Sequence, residues 1–306
     1  MQLSKTVADI RVNWAVSDAK RDEGLVTPDT IRRYDNLSYG EYGEDNLLDI
    51  YVRKDAEGPG PAIVNVHGGA WVYGSKELYQ YYCMSLAERG FAVVNLNYRK
   101  APENRFPAAV EDINKALHFI ADKGAEYGID KDRLVLVGDS AGGQLVSHYA
   151  AVLTDESLAR EFAFSVPEIT VCALGLNCGA YDGRKMALVG TDEVFAEYLG
   201  IVGGTPSEEL LGKIDTVSHI TEKYPPAFVM SAVHDFLLPE AEPMYRLLRE
   251  KGIPAELRIC GAEDRPDISH VFHLNMRLPE AAELNDAECA FFRKFVKPAA
   301  ASPVTH

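Results

Sequence analysis

Short, mostly apolar runs recur along the chain, at residues 47–52, 62–66, 92–96, 134–137, 171–174, 227–233 and 255–259. Runs of this kind suit strands buried on both faces of a parallel sheet. Helical patterns lie between them, at 77–89, 107–123, 141–153, 240–251 and 279–295. In 107–123 the apolar residues Ala109, Ile113, Ala116, Leu117 and Ile120 recur at helical spacing and make one buried stripe. The 240–251 pattern stops at Gly252, with Pro254 just beyond. The alternation predicts an α/β fold, with a mostly parallel central sheet and helices on both faces. One domain over residues 1–306 is expected, with no internal repeat and low complexity only in the tail 298–306.

Two segments depart from this rhythm. The N-terminal arm 1–45 is rich in charge, and its apolar spacing predicts short helices at 6–16 and 27–34. Residues 178–222 are glycine-punctuated and lean helical at 191–200 and 206–214. They read as an insertion between strands, and insertions at strand ends often cover a ligand crevice. Together the arm and the insertion predict a small helical cap.

Composition narrows the field of partners. The 306 residues are 47% hydrophobic and 25% charged, with net charge −15. An acidic surface repels nucleic-acid phosphates and anionic lipid, so neither is an expected partner. No run of 18 apolar residues occurs, so no membrane span is expected. Residues 1–18 lack the long apolar run of a signal peptide. The five cysteines form no CxxC pair. An odd number argues for reduced thiols and a cytoplasmic location.

The strongest chemical signal is Gly138-Asp139-Ser140-Ala141-Gly142-Gly143, placed between a strand and a helix. That context lets a sharp turn present the serine hydroxyl above the sheet, with the helix N-terminus aimed at developing negative charge. The competing reading is a glycine-rich turn carrying an idle serine. His67-Gly68-Gly69-Ala70-Trp71 follows the strand at 62–66. Glycines there let backbone amides approach an oxyanion. Gly68, Gly69, Ala70 and Ala141 are the candidate oxyanion residues, with the amides of Gly69, Ala70 and Ala141 preferred.

A serine nucleophile needs a base, and the base needs a carboxylate. Of the histidines after Ser140, His219 falls in the insertion, His234 follows a strand and His306 is terminal. His270 and His273 both sit in the loop before the final helix, where the base belongs. His270 ends a polar loop just ahead of Val271-Phe272, whereas His273 leans toward the helix. Asp235, at the end of the strand 227–233, is the expected acid, with Asp182 in reserve. Asp139 is expected to brace the elbow or the cap. His118 and His148 read as structural. The pairs Asp130/Asp132 and Asp264/Asp267 read as solvated loop residues, and no metal-ligand spacing is present.

These motifs resemble the hormone-sensitive-lipase-like branch of the α/β hydrolases. The resemblance runs from about residue 47 to 295. It rests on HGGAW at 67–71, NYRKAPENRFPA at 97–108, GDSAGG at 138–143, HDFLLPE at 234–240 and SHVFH at 269–273. It implies an α/β-hydrolase fold and a Ser140, Asp235, His270 triad, the base lying in an HxF pattern. It also implies a cap, no cofactor, and hydrolysis of short-chain carboxylic esters through an acyl-enzyme. Ala70 replaces the third glycine of that branch and is followed by Trp71. This HGGxW form is similar to relatives of kynurenine formamidase. An arylformamidase-like small-amide hydrolase and an acetyl (sugar ester) esterase are therefore the alternative enzymes. A catalytically inactive ligand-binding homologue is the alternative outside enzymes. The expected partner is a small-molecule ester, and a homodimer is compatible with the sequence.

Overall fold

Eight strands form one sheet: β1 (Ile31–Ser38), β2 (Leu47–Arg53), β3 (Gly60–Val66), β4 (Ala92–Leu96), β5 (Ile129–Asp139), β6 (Val171–Asn177), β7 (Ala227–Ala232) and β8 (Ala255–Cys260). These come from a computed structural model, which describes residues 3–190 and 192–297. The tail 298–306, with His306, lies outside the described residues, as do residues 1–2 and Thr191 at the start of one expected helix.

The strand order is β1-β2-β4-β3-β5-β6-β7-β8. β2 runs antiparallel to β1 and β4, and the remaining pairs are parallel. β4 and β7 are buried along their whole length, as their apolar sequences require. One face is covered by the helices Ala108–Lys123, Ala141–Thr154 and Leu238–Glu250, and the other by Gln80–Glu88 and Pro279–Phe292. Each buried Val, Leu or Ile side chain in these layers stabilises the fold by about 1.5–3 kcal/mol of transfer free energy. The parallel crossovers bring the C-terminal ends of β3, β5, β7 and β8 to the same side of the sheet, and the segments carrying His67–Trp71, Ser140, Asp235 and His270 follow those ends in turn.

β1 is a correction. Residues 27–34 are expected to be helical, yet they turn and enter β1. This edge strand alternates irregularly because Asn36 takes a left-handed φ of 58° and shifts the register between Tyr34 and Leu37. Arg32, Arg33 and Asp35 along it discourage edge-to-edge pairing with another sheet.

The N-terminal helix is also longer than the expected 6–16. It spans Lys5–Asp22 and is capped by the Ser4 hydroxyl, which accepts from the Val7 amide at 3.3 Å. The insertion holds the helices Gly183–Val189, Glu193–Leu199 and Glu208–Ile214, and the first of these is unexpected. Tyr198 and Phe195 of the insertion pack on Trp71, at ring separations of 5.2 and 4.9 Å. The Thr6 hydroxyl donates to Glu193 Oε2 at 2.6 Å, joining the N-terminal helix to the insertion.

Candidate active site

β5 ends at Asp139, and the next residue turns the chain. Ser140 sits at φ 53°, ψ −120°, a conformation that costs a non-glycine residue on the order of 1–3 kcal/mol. The surroundings hold it there. Its amide donates to the Asn177 carbonyl of β6 at 2.9 Å, and its carbonyl accepts from Gln144 at 3.1 Å. The helix Ala141–Thr154 starts immediately. A Cβ on Gly142 would collide with the Val66 carbonyl of β3, so glycine is what allows the helix so close to the sheet.

His270 reaches this serine. Its Nε2 lies 3.0 Å from Ser140 Oγ, and its Nδ1 lies 2.7 Å from Asp235 Oδ1. Asp235 leaves the end of β7 and is 5% exposed. It also accepts from the Leu237 amide at 2.9 Å and from the Ser231 hydroxyl at 2.7 Å. Burial pushes its carboxyl up, but the His270 hydrogen bond and charge, Cys178 and the Leu237 amide more than offset this. The net shift is downward, so the carboxylate stays ionised.

The other candidates fall elsewhere. His273 is 1% exposed, with neither ring nitrogen partnered among the described residues, and it packs edge-on against Tyr82 at 5.1 Å. His219 pairs with Asp155 at 2.9 Å, and His234 contacts the carbonyls of Ala262 and Glu263. His118 contacts the Ser165 carbonyl, and His148 contacts the Thr216 hydroxyl. Asp182, the reserve acid, caps the helix Gly183–Val189 by accepting from Lys185 at 2.9 Å. Asp130 and Asp267 pair with Arg133 and Arg265.

The HGGAW segment leaves β3 and folds into a tight turn. Gly69, Ala70 and Trp71 all have positive φ, at 116°, 50° and 61°. The Gly69 carbonyl accepts from Val72 and Tyr73 at 3.1 and 2.9 Å. The Trp71 indole donates to Gln144 Oε1 at 3.1 Å, tying the loop to the helix behind Ser140. Among the described residues, the amides of Gly69, Ala70 and Ala141 make no hydrogen bond. Gly68 is a correction: its amide donates to the Tyr79 hydroxyl at 2.9 Å, so it has no proton left for an oxyanion.

Ser140, His270 and Gly69 line a cavity of about 180 Å³ with Trp14, Ser17, Asp18, Arg21, Tyr79 and Leu274. Four of these belong to the N-terminal helix, inside the arm 1–45 from which a cap element is expected, although the sequence singles out none of the four. Arg21 is neutralised there by Asp18 at 2.9 Å and Asp22 at 2.7 Å. Tyr79 was also missed, since a tyrosine eight residues past Trp71 carries no motif. One cluster of metal-ligand type occurs among the described residues: Cys178, Asp235 and His270, with ligand atoms within 4.8 Å of one another. A cation there would have to displace the His270–Asp235 hydrogen bond, so the cluster is better suited to holding a proton.

Residues 48–249 match the BD-FAE family. Over 210 residues the chain is 33% identical to a probable carboxylic ester hydrolase, LipM, of Mycobacterium tuberculosis; the match covers 67% of this chain and 48% of LipM. The chain thus spans about half the length of that curated relative. The fold is similar to that of esterase B from Lactobacillus rhamnosis, with a TM-score of 0.84, 23% identity, and 95% of each chain covered. It is also similar to an esterase from the bacterial hormone-sensitive lipase family, with a TM-score of 0.71, 23% identity, and coverage of 97% of this chain and 94% of the other. The sheet, the strand–turn–helix at Ser140 and these similarities agree: the chain has the α/β-hydrolase fold and belongs to the BD-FAE family.

Proposed function

We propose that this protein is a serine carboxylesterase that hydrolyses short-chain esters through an acyl-enzyme. The observation that carries the reading is the relay Ser140–His270–Asp235, with links of 3.0 and 2.7 Å, built on a strained serine turn. In this reading Ser140 Oγ attacks the ester carbonyl while His270 Nε2 takes the hydroxyl proton. Asp235 holds Nδ1 and stabilises the imidazolium. The carbonyl oxygen becomes an oxyanion facing the free amides of Gly69, Ala70 and Ala141. The tetrahedral intermediate collapses, and His270 passes its proton to the leaving alcohol. A water then attacks the acyl group with His270 again as base, releasing the acid and restoring Ser140.

The names of similar proteins support an ester substrate: LipM is a probable carboxylic ester hydrolase, and the fold neighbours are esterases. The N-terminal helix and the insertion serve as the cap in this reading, within a single domain. The five free cysteines suit a reducing compartment, which supports a cytoplasmic location.

A fluorophosphonate probe tests the nucleophile. Wild type should be labelled, and folded Ser140→Ala should lose both the label and several powers of ten in kcat. A folded Ser140→Ala with near-wild-type turnover would end the reading. The cavity beside Ser140 is small, so kcat/KM should peak between acetyl and about hexanoyl esters. Each buried methylene is worth ~0.8 kcal/mol only while it finds apolar wall. A steady rise from butyrate to palmitate esters would contradict this, and faster cleavage of an N-formyl amide than of the matching ester would favour the amidase.

A further inference from the structure

Tyr79 stands where three parts of the site meet. It ends the 3₁₀ turn Lys76–Tyr79 beyond the HGGAW loop and is 6% exposed. Its hydroxyl accepts the Gly68 amide at 2.9 Å and donates to Asp139 Oδ2 at 2.8 Å. Asp139 directly precedes Ser140 and is 1% exposed. Its other oxygen, Oδ1, has no partner among the described residues, so Tyr79 is its side-chain donor. The loop packs directly on this pair, since a Cβ on Gly68 would lie 2.6 Å from Asp139 Oδ2 and 3.0 Å from the Tyr79 hydroxyl.

A phenol has one proton and can rotate it. The acceptor it chooses decides where its lone pairs point. Asp139 accepts the hydrogen bond, and this turns a lone pair of the hydroxyl toward the Gly68 amide. The loop is thereby tied to the strand that carries the nucleophile. Burial pushes the Asp139 carboxyl up to about 7, and the Tyr79 hydrogen bond pulls against that push. Gly69 and Ala70, the free amides, are the next two residues after Gly68. A small rotation at Gly68 would swing both.

We propose that Tyr79 is a positioning residue for the oxyanion loop: held by Asp139, it fixes the Gly68 amide, and so the angle at which the Gly69 and Ala70 amides meet the oxyanion of the tetrahedral adduct on Ser140. The proposal rests on the serine-esterase reading. An aryl trifluoromethyl ketone, which adds to a serine hydroxyl and places an oxyanion in the hole, separates positioning from simple packing. Donors aimed at the oxyanion are worth more in the transition state than in the ground state.

Tyr79→Phe should therefore lower kcat by about tenfold, less than the ~10²–10³ for losing a donor outright, because the amides remain but are less well aimed. KM for a short-chain ester should stay within about twofold, and the inhibition constant of the ketone should rise by the same factor as kcat falls. A folded Tyr79→Phe whose kcat and ketone affinity both stay within twofold of wild type would overturn the proposal. Asp139 gives a second readout that does not require Tyr79→Phe to fold. Asp139→Asn keeps an acceptor for the Tyr79 hydroxyl and should lose less ketone affinity than Asp139→Ala; equal losses would also overturn it. Failure of wild type to react with a fluorophosphonate would instead sink the serine-esterase reading on which the proposal stands.

Discussion

His270 and His273 share one loop, yet their surroundings are opposite. The side chain of His270 keeps 21% exposure and touches both Ser140 and Asp235. His273 is sealed among Tyr82, Phe272 and Asn285, and burial pushes its imidazole down to about 3. It therefore stays neutral and cannot exchange protons at working pH. The two alanine variants should separate cleanly. His270→Ala should lose nearly as much turnover as Ser140→Ala, and the double variant should be little worse, because the residues act as a unit. His273→Ala should keep at least about a tenth of kcat while losing about 1–3 kcal/mol of stability to the cavity left behind. Turnover assays and thermal melts on folded protein check both, and the reverse ranking would assign the base to the wrong histidine. From sequence, loop position alone does not separate the two histidines, and the preference for His270 rests on the polar run ahead of it, on Val271-Phe272 after it and on the HxF resemblance. What separates them is solvent access, which depends on how the helix Pro279–Phe292 packs back over the loop.

Among the elements, those that carry a strong hydrophobic period were legible and those held by polar contacts were not. β3, β4 and β7 bury apolar side chains on both faces, and their sequences announce it. β1 buries only Ile31 fully and is secured by pairing with β2, which leaves little pattern to read. The N-terminal helix has Val7 as its only fully buried residue. It is docked instead by arginines on carbonyls: Arg11 donates to Val72 at 2.8 Å and to Ala101 at 2.9 Å, and Arg21 donates to Leu78 at 2.6 Å. Val72 and Leu78 bracket the segment that follows the HGGAW loop, so the helix is pinned to the part of the chain that shapes the site. Each hydrogen bond from a charged donor contributes about 1.5–3 kcal/mol. Arg11→Ala with Arg21→Ala should therefore release the helix while the sheet stays folded. Limited proteolysis near residues 5–22 should speed up several-fold. KM for short esters should rise more than kcat falls, since the helix supplies cavity wall and no reacting group. Unchanged cleavage and unchanged KM would show that other contacts dock the helix.

Across the whole molecule, the buried ionisable groups set a stability optimum. Burial pushes His67, His148 and His273 down to about 3, from an ordinary 6.5. A histidine lowered in the fold stabilises it above 6.5, and that contribution is lost as the pH falls toward 3. Burial pushes Asp139 and Glu288 the other way, up to about 7, from ordinary values of 3.8 and 4.5. Acids raised in the fold stabilise it at low pH, and that contribution is lost as the pH rises through 7. Between 4.5 and 6.5 the unfolded chain gains protons on three imidazoles, while the folded chain retains protons on two carboxyls. Three outweigh two, so stability climbs with pH at a net slope of about 1.4 kcal/mol per unit for the one uncompensated proton. Near 6.5 the imidazoles are half titrated in the unfolded chain and the two sets balance. Above that, the imidazole term falls off sooner than the carboxyl term, and stability declines gently. The thermal midpoint should therefore be highest near pH 6.5, with a steeper fall on the acid side than on the basic side. Midpoints measured across pH 4–9 check this, and a midpoint still rising from 6.5 to 9 would show that Asp139 and Glu288 do not hold protons in the folded protein. Glu288→Gln tests the basic limb separately. It keeps an oxygen to accept from Asn177, now at 2.9 Å from Glu288 Oε1, and removes one of the two titrations, so three imidazoles then oppose one carboxyl and the midpoint should climb to a plateau at about pH 7.5 in place of the decline above 6.5.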